Sequence, residues 1–197
     1  MKKSVALILL LFTVKVSAWG QGSCDITADQ SPAIRGFRLG MTLDQLYELV
    51  PEARNDMNII KALDQNKRQQ LPSKLFIGFS GSQFPYNSIP RFQNITGIVL
   101  RFFNDQLTDL SVQYAGPSWN SANEFIAKLR ESFVLPAAED WKGNNVDKEI
   151  RCKDFVLQVR AQNNSGGYMS ITDTTSVKKM DDAIKASLEK ARKEFKP

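Results

Sequence analysis

Apolar residues along this chain follow two kinds of spacing, and the change from one to the other marks the elements. Around Asn104 and Asp105 two runs meet in which every second residue is apolar: Ile98, Leu100 and Phe102 before the pair, Leu110, Val112 and Tyr114 after it. A period of two places those side chains on one face of a sheet. Asn and Asp tolerate the positive φ of a tight two-residue turn, so residues 94–114 predict a β-hairpin. Its apolar face requires a cover.

Spacings of three and four supply that cover. Leu43, Leu46, Tyr47 and Val50 share a helical face. Thr42 and Gln45 have capping-box spacing, Met41 is placed to staple onto Leu46, and Pro51 stops the helix. Met57, Ile60 and Leu63 predict a second helix before Pro72, lining it at intervals of three. Residues 75–79 then read as a strand. Residues 80–93 read as a loop that combines Gly81, Pro85 and Pro90 with the rings of Phe84, Tyr86 and Phe92.

Beyond the hairpin the order recurs. Ser121 and Glu124 repeat the capping spacing, Phe125, Ile126, Leu129 and Phe133 form an apolar stripe, and Pro136 is the expected stop. Trp119 and Trp141 flank this helix and are assigned to the core. Phe155, Leu157, Val159 and Ala161 alternate, residues 163–167 turn the chain, and 168–172 form the return strand. The last segment, 176–197, carries Val177, Met180, Ile184, Leu188, Ala191 and Phe195 at helical spacing. Its other face has acid-first pairs, Asp181 with Lys185 and Glu189 with Lys193. The fold class is therefore α+β: an antiparallel sheet covered by short helices, with a C-terminal amphipathic helix. The α+β domain spans 36–175, and its element order reads as two tandem helix-then-hairpin units, 37–115 and 119–173.

The amino terminus changes the picture of charge and compartment. Lys2 and Lys3, an apolar run over 5–14 and the small-residue site Val16-Ser17-Ala18 have the form of a secretory signal over 1–18, followed by an irregular leader over 19–35 that is expected to be tethered only at Cys24. The apolar run is about half the ~20 residues that span a bilayer, so a soluble, exported protein is expected, periplasmic or extracellular. The signal holds three lysines and no acid, so cleavage lowers the 26 basic residues to 23 against 21 acidic ones. That near balance, without a basic cluster, leaves no footprint for nucleic acid. Export also places Cys24 and Cys152 in an oxidising compartment, where a disulfide is the simple expectation. The competing reading is lipidation of Cys24, against which Gln21-Gly22-Ser23 lacks the apolar residue expected three places upstream.

Gly40-Met41-Thr42-Leu43-Asp44-Gln45-Leu46 resembles the opening of small helix-then-sheet domains of bacterial envelopes, the SmpA/OmlA-type assembly lipoproteins and the related β-lactamase inhibitor protein fold. In that family short capped helices cover an antiparallel sheet, and the inhibitor-like proteins carry the unit twice. The resemblance implies protein binding through the sheet or its loops, without catalysis. This chain departs from it in lacking a lipobox and in its long C-terminal helix.

Candidate chemistry is narrowed chiefly by what is missing. The chain has no histidine, which removes Ser-His and Cys-His nucleophile pairs, His-ligated zinc and the commonest proton shuttle near neutral pH. No metal, cofactor or catalytic residue is assigned. Ser176 and Lys179 match Ser-x-x-Lys spacing, but the companion motifs of penicillin-binding enzymes are absent and Ser176 sits where a helix cap belongs. Gly78-Phe79-Ser80-Gly81 lacks phosphate-loop spacing. Phe84, Tyr86 and Phe92 are the partner-binding candidates, because loop aromatics provide large anchoring areas. The competing and preferred reading folds these rings back over the sheet edge. The expected function is an exported, non-catalytic protein that binds another protein in the bacterial envelope or outside the cell. The alternatives are a hydrolase of cell-wall material using carboxylates alone, and a carrier of a small apolar ligand.

Overall fold

In a computed structural model, which describes residues 24–68, 74–136, 140–161 and 166–195, the hairpin at Asn104 and Asp105 is central. Strands β2 (Ile95–Phe103) and β3 (Gln106–Tyr114) pair antiparallel, and both turn residues hold positive φ, 49° and 62°. Asp105 also accepts a hydrogen bond from the amide of Leu43 at 3.1 Å, so the turn helps to cap the first helix. That helix, α1 (Leu43–Leu49), has the full capping box of Thr42 and Gln45 and ends at Val50, before Pro51. Helix α2 (Met57–Arg68) and edge strand β1 (Lys74–Ser80) complete the first half. The second half contains α3 (Ala122–Arg130), β4 (Lys142–Gly143), β5 (Asp147–Arg151), β6 (Phe155–Ala161) and β7 (Gly167–Asp173), and α4 (Thr174–Glu194) follows.

The seven strands among the described residues form one antiparallel sheet in the order β1-β2-β3-β7-β6-β5-β4. The last strand of each half, β3 and β7, meet at its middle, with Leu110 opposite Ile171 and Val112 opposite Met169. Alternation then puts Leu75, Ile77, Phe79, Ile98, Leu100, Leu110, Val112, Leu157, Val159 and Ile171 on one buried face. Leu46, Ile59, Phe125, Ile126 and Leu129 of α1, α2 and α3 belong to the same core cluster. Met180 of α4 is buried but stands outside that cluster, as do Phe103, Thr108 and Ser170. Because α4 also contacts β2, β6 and β7, it packs on the other face of the sheet.

Three sequence expectations are corrected. Helix α2 turns Ile59 to the core, 2% exposed, while Met57 and Ile60 face solvent at 61% and 36%. Spacing by three fits both faces, and packing of α2 against β1 selects the one carrying Ile59. Helix α3 stops at Arg130, before Pro136, where the amides of Ser132 and Phe133 close a final turn on the carbonyl of Leu129. The leader is held at more than Cys24: Ile34 is fully buried, Ile34 and Phe37 bridge, and Lys153 donates to the carbonyl of Ile26. The expected C-terminal amphipathic helix is present as α4, and along its apolar stripe Met180 is buried while Leu188 and Phe195 are 51% and 74% exposed. The signal over 1–18 and most of the turn over 163–167 lie outside the described residues.

Candidate functional site

The three loop aromatics separate into two roles. Tyr86 and Phe92 are 4% and 1% exposed, because two short 3-10 turns, Tyr86–Ser88 and Pro90–Phe92, direct them under the loop. There they join Phe37 and Phe79, with Phe79 to Tyr86 and Phe79 to Phe92 ring centroids 4.8 and 5.3 Å apart. The hydroxyl of Tyr86 donates to Asp56 Oδ2 at 2.6 Å, and Asp56 Oδ1 accepts from the amides of Asn58 and Ile59 at the start of α2. Burial first, and then this bond to a carboxylate, raise the tyrosine's pKa above its ordinary value. For Tyr86 and Phe92 the fold-back reading holds. Phe84 differs: it is 85% exposed on the same anchored loop. Phe76 and Val99 add exposed apolar surface at 45% and 46% on the face of β1 and β2 opposite the main core, with Lys74 and Arg101 lying against the Phe76 ring.

Cys24 and Cys152 form a disulfide across 128 residues, and it ties the leader to the end of β5. Farther along that leader, Arg35 lies over the Tyr114 ring, its guanidinium carbon 5.7 Å from the centroid. Both line a cleft of about 290 Å³ with Asn94, Trp119, Phe125, Lys128, Leu129 and Phe133. Phe125 packs edge-on to Tyr114 at 5.6 Å and tilted against Trp119 at 5.2 Å, which makes an aromatic wall. Trp141 is 3% exposed, as expected of a core residue, whereas Trp119 is only partly buried and borders this cleft.

The polar groups of the cleft are incompletely answered. Tyr114 is 9% exposed, yet neither its hydroxyl nor Arg35 Nε has a hydrogen-bond partner. Burial pushes Tyr114 up to about 12, and the nearby Arg35 opposes that rise. Arg35 and Asn94 both hold positive φ, 57° and 58°, a conformation that costs roughly 1–3 kcal/mol and is concentrated at functional sites. Sequence reading missed this constellation. Trp119 and Tyr114 were visible as core candidates, but no local pattern joins Arg35 to either.

A second groove, about 250 Å³, lies over β4 to β6 and is lined by Asp147, Lys148, Glu149, Gln158, Arg160 and Tyr168 among others. Its acids are engaged: Asp147 pairs with Arg160, and Glu149 with Arg151 at 2.9 Å, while Gln158 donates to Glu149 at 3.3 Å. The side chains of Asp147 and Glu149 are 47% and 33% exposed. Both grooves open to solvent. Among the described residues no group of three acidic or cysteine side chains is placed to hold a metal ion, and no helix is long and apolar enough to cross a membrane. Comparison with protein-family models, curated proteins and solved structures finds no match.

Proposed function

We propose that this is an exported, non-catalytic protein that binds another protein of the bacterial envelope or exterior through the loop carrying Phe84. The carrying observation is the contrast within that loop: Tyr86 and Phe92 fix it to the core, and Phe84 is left 85% exposed. A large ring held on an anchored loop loses little entropy when a partner's pocket covers it, which is the economy of an interface hot spot. The signal-like amino terminus and the disulfide support export. The resemblance of residues 40–46 to envelope helix-then-sheet domains points the same way.

The carboxylate-hydrolase alternative finds less support. A general acid needs apolar burial to stay protonated near neutral pH. Asp147 and Glu149, the two acids lining the second groove, are both part-exposed and tied to arginine. The test is capture from envelope extracts by mature protein and by Phe84→Ala. A specific protein retained by the first and lost with the second is expected, with folding stability changed by less than about 0.5 kcal/mol. Equal retention by both would remove the loop from the interface.

A further inference from the structure

The cleft between β3 and α3 contains two groups that call for the same kind of ligand. Arg35 Nε–H can only donate, and a protonated tyrosine hydroxyl is a ready donor. Arg35 stands close enough to the Tyr114 hydroxyl to lower its pKa both by charge and by side-chain hydrogen bonding, yet neither Arg35 Nε nor the Tyr114 hydroxyl has a partner at full hydrogen-bond geometry, and the phenolic proton is left without an acceptor. Arg35 has no carboxylate partner among the described residues. Unanswered buried donors are uncommon because each forfeits its hydration without replacement. What both lack is an acceptor, and beside a cation the favoured acceptor is an anion.

Charge sets the valence. The cleft's other cation, Lys128, is held by Glu131 at 2.6 Å, so the local balance is one positive charge, that of Arg35. One charge suits a monoanion better than a phosphate dianion. The remaining walls, Trp119, Phe125, Leu129 and Phe133, are apolar and largely aromatic, and suit a flat or short apolar body. A volume near 290 Å³ stands at the small end of the roughly 300–1,000 Å³ range of ligand pockets.

We propose that this cleft binds a small aromatic monocarboxylate, its carboxylate received by Arg35 with the Tyr114 hydroxyl as second donor, and its ring seated on Trp119 and Phe125. The same chemistry occurs in a free arylacetic acid and at the end of a peptide whose last residue is aromatic. The site is separate from Phe84, so binding here stands or falls independently of the protein partner.

The experiment titrates mature, disulfide-bonded protein with phenylacetate, with phenylacetamide, and with an acetylated tripeptide ending in phenylalanine as free acid or amide. Heat of binding and the NMR signal of the Trp119 indole N–H are followed. A saturable Trp119 shift is expected with the acids, and binding weaker by about tenfold or more with the amides and with Arg35→Gln, the effect of losing one charge-assisted contact. Tyr114→Phe is expected to weaken binding several-fold, while Arg160→Gln leaves it unchanged. Tighter binding of the tripeptide acid identifies a chain end as the source, and tighter binding of phenylacetate identifies a free acid. No saturable shift, or equal binding of acid and amide, overturns the proposal. If Arg35→Gln does not fold, the acid–amide comparison on the unaltered protein and Tyr114→Phe decide the matter.

Discussion

Tyr86 and Tyr114 are nearly matched in surroundings and opposite in outcome. Each is at most 9% exposed, each packs against a phenylalanine, Phe79 at 4.8 Å and Phe125 at 5.6 Å, and burial raises the pKa of both. Tyr86 donates to Asp56, which in turn caps α2, so its hydroxyl belongs to a closed chain of bonds. Tyr114 has a cation beside it and no acceptor for its hydroxyl proton. Burial and ring contacts alone would class both as core. Whether the polar end is satisfied is what separates a structural tyrosine from one awaiting a ligand.

The largest test removes the tether on the Arg35 side. A Cys24→Ser, Cys152→Ser double variant frees a link spanning 128 residues, which in the chain-entropy picture costs up to about 5 kcal/mol. Denaturant unfolding should show that loss. At sub-denaturing concentrations the near-ultraviolet signal of the Tyr114 and Trp119 surroundings should change before hydrogen exchange at Asn58 and Ile59, next to Tyr86. Simultaneous loss at both would mean that the two regions are one cooperative unit.

A smaller effect comes from filling the cleft's back wall. Gly167 lies so close to Phe125 that an added Cβ would enter the edge of its ring. Gly167→Ala should therefore displace Phe125, cost about 1–3 kcal/mol by overpacking and move the Trp119 indole signal. The Asp56 hydrogen bond of Tyr86 should be unaffected. An Ala variant with normal stability and an unmoved Trp119 would show that the wall yields without strain.

How far these sites could be read from sequence follows from whether their determinants are local. The Asn104–Asp105 hairpin and the Thr42 cap were legible because turn chemistry and capping act within a few residues. The disulfide was legible from the signal-like amino terminus and the cysteine count together. The buried face of α2 was only partly legible, since packing against β1 chose Ile59 with Leu63 and left Met57 and Ile60 outside. In residues 80–93 no period exists to tell an inward ring from an outward one. Phe84 and Tyr86 differ in burial only because of how the 3-10 turns direct the chain. Arg35 and Tyr114 meet through the folded leader, and no spacing rule spans that separation.

The smallest effect sharpens the comparison most. Tyr86→Phe removes a hydroxyl that answers Asp56 and should cost about 1–2 kcal/mol, even though the carboxylate keeps its two amide donors. Tyr114→Phe removes a hydroxyl that answers nothing, so its cost should stay within about 0.5 kcal/mol. Alkaline pH gives a second reading of the same variant. Below pH 10.0, the ordinary tyrosine value, Tyr114 is protonated folded or unfolded and contributes no slope. Between there and about 12 the unfolded chain releases the proton while the folded one keeps it, so stability falls as pH rises. Tyr114→Phe should make that fall shallower when stability is measured by urea unfolding across the interval. A cost equal to that of Tyr86→Phe would mean that the Tyr114 hydroxyl already has a partner in solution, and the contrast between the two tyrosines would be lost.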